Sequence, residues 1–265
     1  QDYPNLHIYF VDDGSKDHTL ERVREAFDTD DKVTVLAKKN GGKASALNYG
    51  IAACRSEYVV CIDADTQLKH DAVSRLMKHF IADKDKRIGA VAGNVKVGNQ
   101  RNMLTYWQAI EYTSSQNFDR MAYSNINAIT VVPGAIGAFR KEVIEEVGGF
   151  TTDTLAEDCD LTMSINEHGY IIENENYAVA LTEAPETLRQ FVKQRIRWCF
   201  GVMQAFWKHR SSLFAPSKKG FGLWAMPNML IFQYIIPTFS PLADVLMLIG
   251  LFTGNALQIF FYYLI

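Results

Sequence analysis

Short apolar runs alternate with amphipathic stretches through the first 80 or so residues. Residues 6–11, Leu-His-Ile-Tyr-Phe-Val, predict a strand, and Leu20, Val23 and Phe27, at spacings of three and four, predict the helix behind it. Residues 33–37 predict a second strand. Asn40-Gly41-Gly42 then breaks the chain, and Lys43 opens an Ala-rich helix reaching about Cys54. Residues 58–62, Tyr-Val-Val-Cys-Ile, read as a buried strand, followed by a helix over about 71–81. Three alternations of strand and helix argue for parallel βαβ units and an α/β sheet.

The pattern is less regular afterwards. Residues 88–97 predict one or two strands, and 103–123 a long helix with many aromatic and polar side chains. Residues 128–132 read as a strand leading into Pro133-Gly134-Ala135-Ile136-Gly137. A helix over about 156–168 stops at Gly169, the residue type that fits just past a helix end. From 185 to 209, apolar Leu188, Phe191, Val192, Ile196, Phe200, Met203 and Phe206 are interleaved with Arg and Lys, which suits a helix lying in a membrane interface.

From Leu223 onward the only formally charged residue is Asp244. That span has room for two crossings of roughly 20 residues each, with Pro237, Ser240 and Pro241 marking the expected break. Lys208, His209, Arg210, Lys218 and Lys219 lie just before it, so the positive-inside tendency places the preceding part in the cytoplasm. The chain ends on apolar residues with no polar exit and reads as truncated. The expected division is 1–184 catalytic, 185–222 interface helix and linker, and 223–265 transmembrane.

Composition narrows this picture only modestly. A chain of 265 residues has room for one large domain, or one domain plus an appendage, and its net charge of −3 gives no electrostatic reason to expect nucleic acid. Cys54, Cys61, Cys159 and Cys199 form no Cys-x-x-Cys pair and read as small buried thiols in a reducing compartment. No signal peptide is visible, since Gln1-Asp2-Tyr3-Pro4 runs straight into a strand. Gly41-Gly42-Lys43-Ala44 lacks the upstream glycine and the Ser/Thr of a P-loop. No Gly-x-Gly-x-x-Gly follows the first strand, and no Gly-x-Ser-x-Gly elbow occurs.

What remains is a set of carboxylates where strands end: Asp12 and Asp13 after one, Asp63 and Asp65 after another. Either pair alone also reads as a solvated turn. In a parallel sheet, however, both sit at the edge where α/β folds bind ligands, and four such acids suit Mg²⁺ or Mn²⁺ carrying a diphosphate. Glu157, Asp158 and Asp160 open a helix, where acids are also favoured by the helix dipole. In Gln194-Arg195-Ile196-Arg197-Trp198 the two arginines diverge by about 200° on a helix. Gln194, Arg197 and Trp198 share a face, leaving Arg195 to meet lipid headgroups or a carboxylate.

Taken in order, Asp12-Asp13-Gly14-Ser15, Lys43, Asp63-Ala64-Asp65, Glu157-Asp158 and Gln194-Arg195-Ile196-Arg197-Trp198 resemble the processive family-2 glycosyltransferases. These are the membrane-embedded synthases of cellulose, chitin, hyaluronan and poly-N-acetylglucosamine. The likeness runs from Tyr3 into the first apolar segment. It implies a GT-A fold, with a mixed and mostly parallel sheet flanked by helices, followed by an interface helix and transmembrane helices. It also implies inverting transfer from a UDP-sugar, with N-acetylglucosamine the favoured unit, to a growing polysaccharide, with Mg²⁺ or Mn²⁺ as cofactor. By the same resemblance Asp12, Asp13, Lys43, Asp63, Asp65 and Arg197 serve the donor, with Asp63 and Asp65 also on the metal. Asp158 is the base, and Gly134, Glu157, Gln194 and Trp198 serve the acceptor. The implied partners are membrane lipids and accessory synthase subunits, in a multi-pass protein of the cell membrane.

Three departures stand beside the match. The family's first strand and its Pro-x-Tyr/Phe-Asn-Glu type turn are not in this sequence, which predicts weak UDP binding by this chain alone. The apolar segments number fewer than the family's, and Ala156 stands where many relatives carry Thr. A transferase that places one sugar on a lipid carrier is the alternative enzyme, disfavoured by the Gln-Arg-Ile-Arg-Trp cluster. A catalytically dead membrane scaffold is disfavoured by the intact acids.

Overall fold

The computed structural model describes residues 1–252 and 261. Its first half follows the alternation in the sequence: β1 Ile8–Asp12, α1 Thr19–Phe27, β2 Val33–Ala37, α2 Lys43–Ala53, β3 Tyr58–Cys61, β4 Gln67–Leu68 and α3 Ala72–Ala82. After β5 Ile88–Val97 comes one long helix in three parts: α4 Met103–Glu111, a π-helical stretch Tyr112–Phe118, and α5 Asp119–Ser124. Then follow β6 Gly137–Arg140, α6 Lys141–Glu146, α7 Glu157–Glu167, β7 Ile171–Thr182 and α8 Leu188–Lys208.

The strands form two sheets. β1 and β2 pair in parallel, with Ile8 opposite Val33 and Asp12 opposite Ala37. The larger sheet has the order β3-β6-β5-β7-β4. In it β5 and β7 are parallel, while β3 with β6, β6 with β5, and β7 with β4 are antiparallel. This is the mixed α/β sheet of a GT-A fold, but with three of its four strand pairs antiparallel it is not mostly parallel as expected.

Burial on both faces of the larger sheet explains why it is stable. On one face Leu76 and Phe80 of α3 pack on Val91, Val95, Ala138 and Ala180. On the other, Leu161 and Ile165 of α7 and Ile144 of α6 pack on Ala90, Ala92, Phe139 and Ile172. A third cluster ties α7, through Cys159 and Met163, to Ala205 and Phe206 of α8 and to Phe221 and Met226 beyond it. Removing apolar area of this kind from water is the main stabilising term of a fold.

Four further expectations need correction. Residues 128–132 belong to no strand, although Ala128, Ile129 and Val132 are buried. Their backbone is served by side chains of α7: Val132 N donates to Thr162 Oγ1 at 2.9 Å, and Asn166 Nδ2 donates to the Ile129 carbonyl at 2.8 Å. The strand lies just after the Pro-Gly turn instead. β7 has no counterpart in the sequence reading, because Glu173-Asn174-Glu175-Asn176 interrupts its apolar pattern. The break expected at Pro237–Pro241 is absent: Phe221–Gly250 is one helix long and apolar enough to cross a membrane. Its π-type turns at Leu230–Ile235 lie just ahead of Pro237, where a missing N–H disturbs the ordinary ladder. The second expected crossing falls largely outside the described residues. Finally, Cys199 is exposed, unlike the other three thiols.

The apolar face of α8 points outward. Leu188, Val192, Ile196, Phe200, Met203 and Trp207 are all exposed along one stripe, as are Met103, Tyr106, Trp107 and Ile110 of α4.

Candidate active site

A cavity of about 560 Å³ opens beyond the carboxyl ends of β3 and β7. The Asp63-Ala64-Asp65 turn, the 133–135 turn, the start of α7, the π-helical segment and residues 194–198 of α8 surround it. Lys43, Asp63, Asp65, Gly134, Glu157, Asp158, Gln194, Arg197 and Trp198, separated by up to 155 positions (198 − 43) in the chain, all line it.

Lys43 is the first residue of α2, and its ammonium lies 2.6 Å from Asp63 Oδ1 and 3.3 Å from Glu157 Oε1. Burial alone would lower its pKa; the carboxylates Asp63, Glu157 and Asp158 outweigh that and raise it, so the side chain stays charged. Gly134 makes room for this arrangement: a Cβ there would sit 2.6 Å from Lys43 Nζ.

Asp158 is the second residue of α7, whose capping position Ala156 offers no side-chain acceptor. Its Oδ1 accepts from Cys159 N at 2.8 Å and its Oδ2 from Gly134 N at 3.4 Å. Burial, then the neighbouring Glu157 charge, push the Asp158 carboxyl above its ordinary value against the opposing pull of Lys43. A carboxylate of raised basicity opening into a cavity is suited to accept a proton. Glu157 reaches Lys43, so its position reflects more than the preference of acids for a helix start.

Asp65 is exposed, its Oδ1 within reach of Thr182 Oγ1 at 3.3 Å and Thr66 Oγ1 at 3.4 Å. Among the described residues no three His, Cys, Asp or Glu side chains gather as a metal-ligand set. Asp63, whose Oδ1 is held by Lys43 at 2.6 Å, and the exposed Asp65 offer two hard carboxylates. That is a fitting protein share for Mg²⁺ or Mn²⁺, which complete their shells with phosphate oxygens and water.

On α8 the helical geometry holds. Arg195 makes a two-pronged pair with Glu111, at 2.5 and 2.7 Å, and both residues line the cavity together with Arg197. The Arg195 guanidinium also lies 4.7 Å from the Phe191 ring and 4.8 Å from the Trp198 ring. The carboxylate, not lipid, is thus its partner. Trp198 lies 6.4 Å from the Tyr112 ring. Gln194 Oε1 is buried without a hydrogen-bond partner among the described residues. Of the cations lining the cavity, Lys43 and Arg195 are in ion pairs, whereas Arg120 and Arg197 form none with a described residue.

Asp12 and Asp13 do not line this cavity. Asp12 is buried, and its Oδ2 accepts from Gly14 N at 3.1 Å and Ser15 N at 3.2 Å. Asp13 takes Lys38 Nζ at 2.6 Å, Gly41 N at 3.0 Å and Gly42 N at 2.7 Å. Burial would raise its carboxyl, but these partners win and lower it. Of four strand-end acids expected to converge, the structure brings two together; Asp13 instead braces the loop that launches Lys43. β1 belongs to a separate sheet from β3, so the expected common edge is not formed by hydrogen-bonded neighbours.

The sequence reading did not single out Arg120, Gln116 and Tyr112, which line the cavity, or Asn228 and Gln233 from the apolar helix. Arg120 is buried and donates to the Gly93 carbonyl at 3.2 Å; burial lowers its pKa to about 10. The polar residues on the otherwise aromatic 103–123 helix were the available signal.

Known proteins resemble this chain in sequence and in fold. The family model described as glycosyltransferase-like family 2 matches residues 1–201. Poly-beta-1,6-N-acetyl-D-glucosamine synthase of Staphylococcus aureus is 34% identical over 199 residues, covering 75% of this chain and 48% of that protein. The synthase of the same name from Staphylococcus epidermidis is 34% identical over 210 residues, covering 78% and 50%. The chain thus spans about half the length of these curated relatives. Among solved structures, a mannosyltransferase from Pyrobaculum calidifontis in complex with GDP-Man and Mn²⁺ superposes with a TM-score of 0.66 at 24% identity, covering 98% of this chain and 78% of that one. With the family model matching more than half of its length, this chain belongs to the glycosyltransferase-like family 2.

Proposed function

We propose that the chain is the catalytic part of a membrane-bound inverting glycosyltransferase that moves N-acetylglucosamine from a UDP-sugar to a growing polysaccharide. The observation that carries this reading is the single cavity holding Asp158, Asp63, Asp65, Arg197 and Trp198. The substrate class is supported by the two synthases of similar sequence.

In this reading the acceptor sugar stacks on Trp198, beside the buried Gln194 carbonyl. Asp158 takes the proton from the acceptor hydroxyl as its oxygen attacks the anomeric carbon. The bond from that carbon to the diphosphate breaks on the opposite face, so the configuration inverts and UDP departs. Arg197 stabilises the charge that develops on the leaving diphosphate. A divalent cation held by Asp63 and Asp65 would supply further neutralisation of that charge when bound. The outward stripes of α8 and α4 and the apolar helix Phe221–Gly250 support a membrane location in this reading, and the basic residues ahead of that helix support a cytoplasmic cavity.

Incubating membranes that carry the whole protein with radiolabelled UDP-N-acetylglucosamine and Mn²⁺ or Mg²⁺ tests this. The expected product is a polymer of high molecular weight that disappears on chelation. A single labelled lipid would instead assign a lipid-carrier transferase, and no product from any UDP-sugar would refute the proposal.

A further inference from the structure

A second cluster of ionisable groups lies on the far side of α7 from the cavity. His209, the residue that ends α8, is almost completely buried. Its Nε2 is 3.0 Å from Asp160 Oδ1 and its Nδ1 is 2.8 Å from Glu167 Oε2. With a carboxylate oxygen facing each ring nitrogen, both nitrogens must donate, so the ring is an imidazolium. Asp160 is fully buried, and its other oxygen accepts from Thr151 Oγ1 at 2.6 Å and Lys208 Nζ at 3.0 Å. Glu167 accepts in addition from Ser212 Oγ at 2.5 Å, and its carbonyl accepts from Lys218 Nζ. Asp153 completes the set by pairing with Lys208 at 3.2 Å.

We infer that His209 is a positioning residue, which locks the end of α8 to both ends of α7 and so sets where Gln194, Arg197 and Trp198 stand relative to Asp158. This rests on the transferase reading above. Asp160 lies two residues from the base, in the same helical turn, while Glu167 is the last residue of α7. The two helices touch at a second point, where a Cβ on Gly201 would meet Ala156 N at 2.6 Å. A third tie runs from Leu155 N to Gln204 Oε1 at 3.0 Å. Contacts at Gly201, Gln204 and His209 fix the register of α8 along its last turns, and a helix is stiff enough to carry that register to Trp198. Breaking a buried ion pair leaves uncompensated charge, so His209 is the tie whose loss moves the helix most.

Ser212 and Lys218 extend the lock into the segment that leads to the apolar helix. Any displacement of that helix is thereby passed to the helix carrying the base.

The test compares full-length wild type, H209Q and H209K in lipid nanodiscs, by amide exchange and by donor-dependent kinetics. In H209Q, exchange is expected to accelerate in 156–168 and 204–218 and nowhere else, and kcat to fall about tenfold to a hundredfold, with a smaller change in donor KM through Arg197. H209K, which keeps a cation between the carboxylates, is expected to recover part of both. Unchanged local exchange and kcat in H209Q would overturn the inference. So would a loss in H209K equal to that in H209Q, or acceleration spread over the whole chain. A wild type that transfers no sugar would sink the transferase reading, while the exchange comparison still decides the lock.

Discussion

Asp158 and Lys43 illustrate how side chains far apart in the chain acquire a joint chemistry. Burial and Glu157 raise the proton affinity of Asp158, and Lys43 limits the rise while holding Glu157 and Asp63 in place. Asp158→Asn keeps the shape and removes the base. It is expected to lower kcat by about 10²–10⁴-fold with UDP affinity nearly intact in calorimetric titration; equal loss of both would exclude the assignment. Gly134→Ala places a methyl group against the Lys43 ammonium. The crowded atom is the end of a flexible side chain, so Tm should hardly change. The displaced ammonium should lower transfer about tenfold or more, as seen in initial rates.

At the scale of elements, the helices were more legible than the strands. The helical repeat separates Arg195 from Arg197, and Arg195 is taken by Glu111, although both arginines line the cavity. Residues 128–132 have a strand's composition, yet Thr162 and Asn166 of α7 satisfy their backbone, so no ladder is required. β7 is the converse: its polar middle hides a strand that joins β5 and β4. The close approach of α8 to α7 also depends on one small residue. Gly201→Ala forces two backbones apart and is expected to destabilise the protein by about 1–3 kcal/mol, read as a lower urea midpoint.

For the whole molecule, the lock around His209 makes stability depend on pH in a defined direction. Burial would lower the His209 pKa, but Asp160 and Glu167 outweigh it and raise it to about 9. A raised value means that the contribution is complete below about pH 6.5, the unfolded value, and is lost as pH rises through about 9. Asp160 is lowered to about 2, its partners outweighing burial, so its contribution holds above the ordinary carboxylate range and disappears as pH falls through about 2. Between these limits the cluster is fully charged. The urea midpoint is expected to fall between pH 6.5 and 9.5 in the wild type and to fall less in H209Q; parallel curves would contradict the imidazolium bridge.

Local rules on the sequence were enough for the first three strand–helix alternations and the apolar stripe of α8, because each depends on residues near one another in the chain, and the family was legible from the order of short motifs along it. Which acids share a cavity was a matter for tertiary structure. Asp63, Asp65, Glu157 and Asp158 meet there, while Asp12 and Asp13 are taken up by backbone amides of nearby turns. The lock of His209 on Asp160 and Glu167 was equally invisible beforehand, since its partners lie 49 and 42 positions away. Helical and strand periodicity is local, whereas burial and charge pairing are settled only when distant segments pack together.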